Sequence, residues 1–144
     1  MPNYKTILMA VDLSEESAKV ATRAKALAAS NGATLHIIHV IEPLSFAYGG
    51  DIPMDFSGIQ EEIHEQAKQQ LGRFARDCEI PDDRQYIILG RPEVEIHSTA
   101  DDIEADLIVV GSHGRHGLAL LMGSTANGVL HGASCDVLAV RVGG

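Results

Sequence analysis

The sequence feature that most limits the fold is a series of five short apolar segments separated by longer segments with helical periodicity. Four of the five are almost uninterrupted apolar runs, which is typical of strands covered on both faces. Helices between consecutive strands indicate a parallel sheet with right-handed crossovers. The sequence therefore predicts one doubly wound, Rossmann-like α/β domain over residues 1–144, with helices on both faces of a five-stranded sheet. The predicted strands are Thr6–Val11, Thr34–Ile41, Gln85–Leu89, Leu107–Val110 and Asp136–Val142.

Caps and apolar periodicity place helices between these strands. The first helix has Ser14 as its predicted N-cap, Glu15 and Glu16 in its first turn, and Asn31-Gly32 at its end. Its predicted buried stripe consists of Ala18, Ala21, Ala24, Leu27 and Ala28. One face of a second, long helix is marked by Ile59, Ile63, Ala67, Leu71, Phe74 and Cys78.

Two shorter helices complete the pattern. Pro92 stands at the favoured first position of the third helix, whose core-facing residues are Ile96, Ala100 and Ile103. The fourth helix covers about 123–132 and contains Gly128, although a glycine costs a helix about 1 kcal/mol. A helix is still predicted there because the flanking segments are not alternating strands of equal length.

Charge and composition argue against several classes of partner. Eleven Lys and Arg residues against twenty Asp and Glu give a net charge of −9, whereas nucleic acids and anionic membranes are bound by basic surfaces. No apolar run approaches the roughly eighteen residues that cross a bilayer, and no signal-peptide pattern is present. Cys78 and Cys135 have neither metal-site nor disulfide-framework spacing, so we expect buried thiols in a cytoplasmic protein.

The glycine-rich segment GSHGRHGLALLMGST, residues 111–125, is the candidate binding loop. Gly111 and Gly114 carry no Cβ where a strand ends, so a ligand can approach the backbone closely. Gly123 is followed by Ser124 and Thr125 at the start of a helix, where unpaired backbone N–H groups and two hydroxyls suit an anion such as a triphosphate. The alternative is that the glycines only form turns and Ser124 only caps the helix. Spacing alone leaves both interpretations open.

Motifs along almost the whole chain resemble the universal stress protein family. They are ILMAVDLSEES at strand 1, LHIIHVIEP at strand 2, GRPEVEI entering the third helix, DLIVVGSHG at strand 4 and CDVLAVRV at strand 5, together with the spaced glycines of the loop. The resemblance implies a sheet order of 3-2-1-4-5, a homodimer and a role in the stress response. It also implies ATP as ligand, with Mg²⁺ bound through the phosphates.

The resemblance assigns binding roles to individual residues. Ala10 and Asp12 correspond to positions beside the adenosine, with Asp12 accepting from ribose hydroxyls, and Val40 to a position lining the adenine pocket. Val110, Gly111 and Gly114 follow strand 4, and Gly123, Ser124 and Thr125 correspond to phosphate-binding positions. From the residues alone, Asp12 could instead order the turn before the first helix, and Val40 could be an ordinary core residue.

One departure from the family motif keeps a second function open. The motif has nine residues between its second and third glycines, and this chain has eight, 115–122. One residue is up to about 3.5 Å of chain, which is comparable to a hydrogen-bond length. We therefore predict a stress-response regulatory protein that binds ATP at the carboxyl ends of strands 1 and 4. The alternative is a nucleotide-free homodimeric interaction and signalling module that dimerises through strand 5, residues 136–142.

No catalytic or metal site is predicted. The sequence has no nucleophile elbow and no general base placed by a motif, so any ATP hydrolysis is expected to be slow. The seven histidines form no spacing typical of zinc. His36 and His39 differ by an odd number along a strand, so they should point to opposite faces and cannot share one metal.

Overall fold

The computed structural model describes residues 3–43, 57–113, 128–129 and 132–142, which contain a five-stranded parallel sheet flanked by helices. The strands are β1 Thr6–Ala10, β2 Thr34–Ile41, β3 Gln85–Leu89, β4 Leu107–His113 and β5 Asp136–Val142. The helices are α1 Ser17–Asn31, α2 Ser57–Asp77 and α3 Pro92–Asp102, and a 3-10 turn spans Asp82–Arg84. All neighbouring strands are parallel in the order β3-β2-β1-β4-β5. The predicted doubly wound α/β class and the strand order are confirmed.

The sheet buries both of its faces, which explains why most of the strands are almost uninterrupted apolar runs. Successive residues of each strand point alternately to one face and the other. The first core cluster lies under α1 and α2 and contains Ile7, Met9, Ile37, Val109, Val20, Ala24, Leu71 and Ala75. The second core cluster lies under α3 and contains Leu8, Ile38, Ile108, Val110, Ile96, Ala100 and Val129.

Helix α1 begins later than predicted. Its first residue is Ser17 and its N-cap is Glu16, so the prediction of Ser14 as N-cap with acidic residues in the first turn is wrong. The reason is a separate turn before the helix, in which the Ser14 carbonyl accepts from Ser17 N–H at 3.0 Å and the Ser14 hydroxyl accepts from Glu16 N–H at 3.3 Å. The predicted end is confirmed, because Gly32 has a left-handed φ of 65° that glycine adopts readily.

The buried faces of the helices agree only in part with the predicted stripes. Ala18 is exposed, and the buried residues of α1 are Ser17, Val20, Ala21, Ala24 and Ala28. In α2, Ala67, Leu71 and Ala75 are buried, whereas Ile59 in the first turn is 49% exposed. Helix α3 begins at Pro92 and buries Ile96 and Ala100, as predicted. Periodicity identifies an apolar face but leaves its rotation uncertain by about one residue.

Strand β4 is longer than predicted and continues to His113. Its last three residues, Gly111, Ser112 and His113, pair with Val140, Arg141 and Val142 of β5. Pairing with a neighbouring strand supplies the hydrogen bonds that extend β4 beyond its apolar run. The predicted fourth helix is tested at three residues, Gly128, Val129 and Gly132, all of which are helical.

Candidate functional site

The strand order of the sheet changes direction at the pair of β1 and β4. Strands β2 and β3 lie on one side of β1, and β4 and β5 lie on the other, so the topological switch point is at this pair. The last paired residues of the two strands are Met9 and Val109, after which β1 ends at Ala10 while β4 continues beside β5. Ligands of doubly wound sheets bind beyond the carboxyl ends of the strands at such a point.

Three of the apolar residues predicted for the site share one face of the sheet. Ala10 and Val40 are half-buried and pack against the second core cluster, of which Val110 is a member with only 3% of its surface exposed. Ala10 pairs with Ile38, two residues before Val40 on β2. Ala10 and Val40 therefore form a small, partly accessible apolar surface at the carboxyl ends of β1 and β2, and Val110 of β4 is buried in the cluster against which they pack. Val40 contacts the core, but part of its side chain is exposed.

The glycines of the candidate loop are only partly described. Gly111 is half-buried within β4 and pairs with Val140, so it lies inside the strand and not at its end as predicted. Gly114, Gly123, Ser124 and Thr125 lie outside the described residues, as does the spacer 115–122. The predicted phosphate-binding positions therefore stay a prediction from the sequence.

Asp12 is the predicted polar residue that the structure describes most fully. Its side chain is exposed directly after β1, and its Oδ1 atom accepts three hydrogen bonds. The donors are the Ser14 N–H at 2.9 Å, the Ser14 hydroxyl at 2.6 Å and the Ser17 hydroxyl at 3.0 Å. These contacts show that Asp12 orders the turn into α1, which is the structural role that the residues alone allowed. They also set the orientation of the carboxylate at the switch point.

The backbone just before Asp12 is attached to β2. Val11 N–H donates to the Ile38 carbonyl at 3.0 Å, and Nδ1 of His39 lies 2.9 Å from the Val11 carbonyl oxygen. Two contacts from the neighbouring strand therefore position the residue that precedes the carboxylate. The position of Asp12 relative to the sheet is defined by both its side chain and its backbone.

Sequence reasoning missed Ser17 and His39 at this site. Ser17 is 2% exposed and is one of two buried polar side chains in the described residues, the other being Thr99. The available signal was a serine five residues after Asp12, at the start of an otherwise apolar stripe. His39 contacts Val11 across adjacent strands, and local spacing carries no signal for such a contact.

The two histidines of β2 have different partners. His36 lies beside Tyr86, with its Nδ1 atom 2.9 Å from the tyrosine hydroxyl, whereas His39 contacts Val11. The described residues hold no group of three or more His, Cys, Asp or Glu side chains arranged for a metal ion. Within the same described ranges, no helix combines the length and apolar character needed to cross a membrane.

Comparisons with known proteins agree with this architecture. The model of the universal stress protein family matches residues 3–141. Universal stress protein A homolog 1 of Coxiella burnetii is 44% identical over 140 residues, which cover 96% of each chain.

Two solved structures extend the likeness to three dimensions. A universal stress protein crystallised in complex with cAMP has a TM-score of 0.64 and 26% identity, with 96% of this chain and 98% of that chain covered. The universal stress protein UspA of Lactobacillus plantarum has a TM-score of 0.76 at 24% identity, covering 98% of this chain and 100% of the other. The second likeness supports the fold alone.

Proposed function

Because this chain belongs to the universal stress protein family, we propose that this stress-response protein is regulatory and binds an adenine nucleotide, ATP, at the carboxyl ends of β1 and β4. The observation that carries the proposal is that a half-buried apolar surface and a carboxylate fixed by hydrogen bonds lie together at the switch point. Ala10 and Val40 supply the apolar surface, and Asp12 supplies the carboxylate. The cAMP bound by a family member of the same fold supports an adenine nucleotide as the ligand class.

The chemistry of these residues fits adenosine. Adenine is flat and largely apolar, so small aliphatic side chains such as Ala10 and Val40 suit one of its faces. A carboxylate accepts hydrogen bonds from paired ribose hydroxyls, and Asp12 lies within a few residues of the apolar surface. The triphosphate would be held by Gly114, Gly123, Ser124 and Thr125, and Mg²⁺ would arrive bound through the phosphates. This division gives each part of the nucleotide a matching group.

The same proposal includes a homodimer in the cytoplasm. Strand β5 forms one edge of the sheet, paired with β4 on its inner side. An edge strand offers a row of N–H and C=O groups to another chain, and a two-fold axis would pair β5 antiparallel with its copy. Residues 136–142 would then form the interface.

A second function has its own support. The spacer 115–122 is one residue shorter than the family's ATP motif. This shorter spacer favours a nucleotide-free homodimer whose loop contacts another protein.

The experiment that separates the two functions begins with purified protein and no added nucleotide. The protein is denatured, and the released small molecules are identified by chromatography and mass spectrometry. ATP and cAMP are then titrated into nucleotide-free protein by calorimetry. We expect a released adenine nucleotide or saturable ATP binding. Absence of both would contradict the ATP proposal and favour the nucleotide-free module.

A further inference from the structure

We propose that Ser17 is a positioning residue that holds the Asp12 carboxylate in the orientation required to bind the ribose of an adenine nucleotide. The inference rests on the proposed function and adds a residue to its site. Its starting point is the 3.0 Å hydrogen bond from the Ser17 hydroxyl to Oδ1 of Asp12.

The burial of Ser17 distinguishes it from an ordinary helix cap. Its side chain is 2% exposed and continues into the apolar stripe formed by Val20, Ala21 and Ala24. A buried hydroxyl without a hydrogen-bond partner is destabilising, and the apolar core offers none. The bond to Asp12 supplies that partner for the Ser17 hydroxyl. Since Ser17 is anchored in the first layer of the core, it connects the exposed carboxylate to a rigid part of the fold.

The two serines of this network differ in what they can do. Ser14 is exposed, and its N–H and hydroxyl close the local turn around the carboxylate. Ser17 approaches the same oxygen from the buried face of α1. Donors from two directions orient a carboxylate better than donors from one, because each bond restricts a different rotation of the side chain.

The backbone of this turn is strained in a way that supports a role in binding. Leu13, between Asp12 and Ser14, has a left-handed φ of 64°. The other two such residues among those described, Glu79 and Glu104, follow α2 and α3, where left-handed residues commonly end helices. Leu13 follows a strand and has no such explanation. Strained residues persist where surrounding contacts hold them, and they cluster at ligand-binding sites.

The test compares the contribution of the ribose hydroxyls in different variants. Dissociation constants are measured for ATP and for 2′,3′-dideoxy-ATP, which keeps the base and phosphates but lacks the hydroxyls that Asp12 would bind. We expect wild-type protein to bind ATP about tenfold more tightly than the dideoxy analogue, the effect typical of a hydrogen bond to a charged group. In Ser17→Ala, we expect this ratio to fall to about threefold or less.

Two further variants separate positioning from general stability. Thr22→Ala removes a hydroxyl from the same helix, where it donates to the Ala18 carbonyl at 2.9 Å, and it should keep the wild-type ratio. Ser14→Ala removes one donor to Asp12 at an exposed position, and it should also lower the ratio even if Ser17→Ala does not fold.

The outcomes distinguish the inference from the function on which it rests. A lowered ratio in Ser17→Ala, or in Ser14→Ala where Ser17→Ala does not fold, with an unchanged ratio in Thr22→Ala supports the positioning role. An unchanged ratio in folded Ser17→Ala, or in Ser14→Ala where Ser17→Ala does not fold, overturns the role and leaves ATP binding intact. Equal wild-type affinities for ATP and its dideoxy analogue also overturn the role alone. Failure of wild-type protein to bind ATP overturns the proposed function together with the inference.

Discussion

The Nε2 atom of His97 lies 3.0 Å from the carbonyl oxygen of Gly128, which joins α3 to the helical residues that follow the glycine-rich loop. The two segments approach so closely that a side chain at either of two glycines would force a neighbouring group to shift. A Cβ atom on Gly128 would lie 2.8 Å from Cβ of Glu93, and one on Gly132 would lie 2.9 Å from Nε2 of His97. Two glycines four residues apart therefore face two α3 side chains that are also four residues apart.

Gly128→Ala should destabilise the protein although alanine is the better helix former. The added methyl group would meet the Cβ atom of Glu93, which cannot rotate away, and overpacking of this kind costs about 1–3 kcal/mol. Gly72→Ala is the matched control, because no atom beyond the neighbouring residues of its own helix lies within 4 Å of its added Cβ in the C-terminal half of α2. It should stabilise by about 0.4–1 kcal/mol. Urea unfolding of both variants checks the prediction, and a stabilised Gly128→Ala would contradict it.

Gly132→Ala and His97→Ala should be strongly non-additive. In the wild-type background, the new methyl group at position 132 would contact the imidazole, so Gly132→Ala should lower the free energy of unfolding. Once His97→Ala has removed the ring, that contact is gone, and Gly132→Ala should be neutral or stabilising. A double-mutant cycle measured by chemical unfolding gives the coupling. Equal effects of Gly132→Ala in the two backgrounds would show that the close contact does not determine stability.

Gly114→Val should abolish ATP binding without unfolding the protein. The prediction follows from the glycine spacing of the loop, since a valine side chain would stand in the proposed phosphate path. Gly58→Val introduces the same side chain at an exposed position with no neighbour within 4 Å of its Cβ, and it should bind ATP as the wild type does. Calorimetric titration measures both affinities. Equal affinity of wild type and Gly114→Val would remove this loop from the binding site.

Val140→Pro should weaken the proposed dimer far more than the fold. Proline removes a backbone donor from the edge strand β5 and fixes its φ. Leu89→Pro is the matched control, because it makes the same change in β3 at the opposite edge of the sheet, where the residue is 46% exposed. Sedimentation should show a monomer for Val140→Pro and a dimer for Leu89→Pro. A wild-type protein that sediments as a monomer at tens of micromolar would exclude the dimer.

The free energy of unfolding should decrease as the pH falls below 6.5, and His36 should be one cause. Burial, assisted by the Arg84 guanidinium, lowers the pKa of His36 from its ordinary value of 6.5. The unfolded chain therefore binds more protons than the folded chain between the lowered pKa and 6.5. As a consequence, the stabilising contribution of neutral His36 is complete above 6.5 and is lost as pH falls through that window.

A variant measurement isolates this histidine. Urea unfolding of wild type and His36→Gln is compared at about pH 7.5 and about pH 5.5. The decrease in free energy of unfolding between the two conditions should be smaller in His36→Gln. Arg84→Gln should also reduce it, because the nearby positive charge is removed. An equal decrease in wild type and His36→Gln would show that other groups cause the acid sensitivity.

The amino-acid sequence determined the class of the fold because the apolar pattern of each segment indicates which of its faces are buried. Almost uninterrupted apolar runs at β1, at β2 and in the first half of β4 require cover on both faces, and the intervening segments with helical periodicity supply that cover. Gly32 predicted where α1 ends and Pro92 predicted where α3 begins, because both residues act through their own backbone geometry. The family motifs then selected one strand order among those that the local pattern allows.

Tertiary contacts decided the features that local patterns do not contain. The tail of β4 is a strand because β5 pairs with it, and α1 begins at Ser17 because Asp12 and Ser14 form a separate turn before it. Local propensity gives no reason for a glycine at position 128 of a helix. The fold supplies the reason, because Glu93 lies too close for a side chain there. Propensity and periodicity depend on a residue and its chain neighbours, whereas these contacts join residues that only the folded backbone brings together.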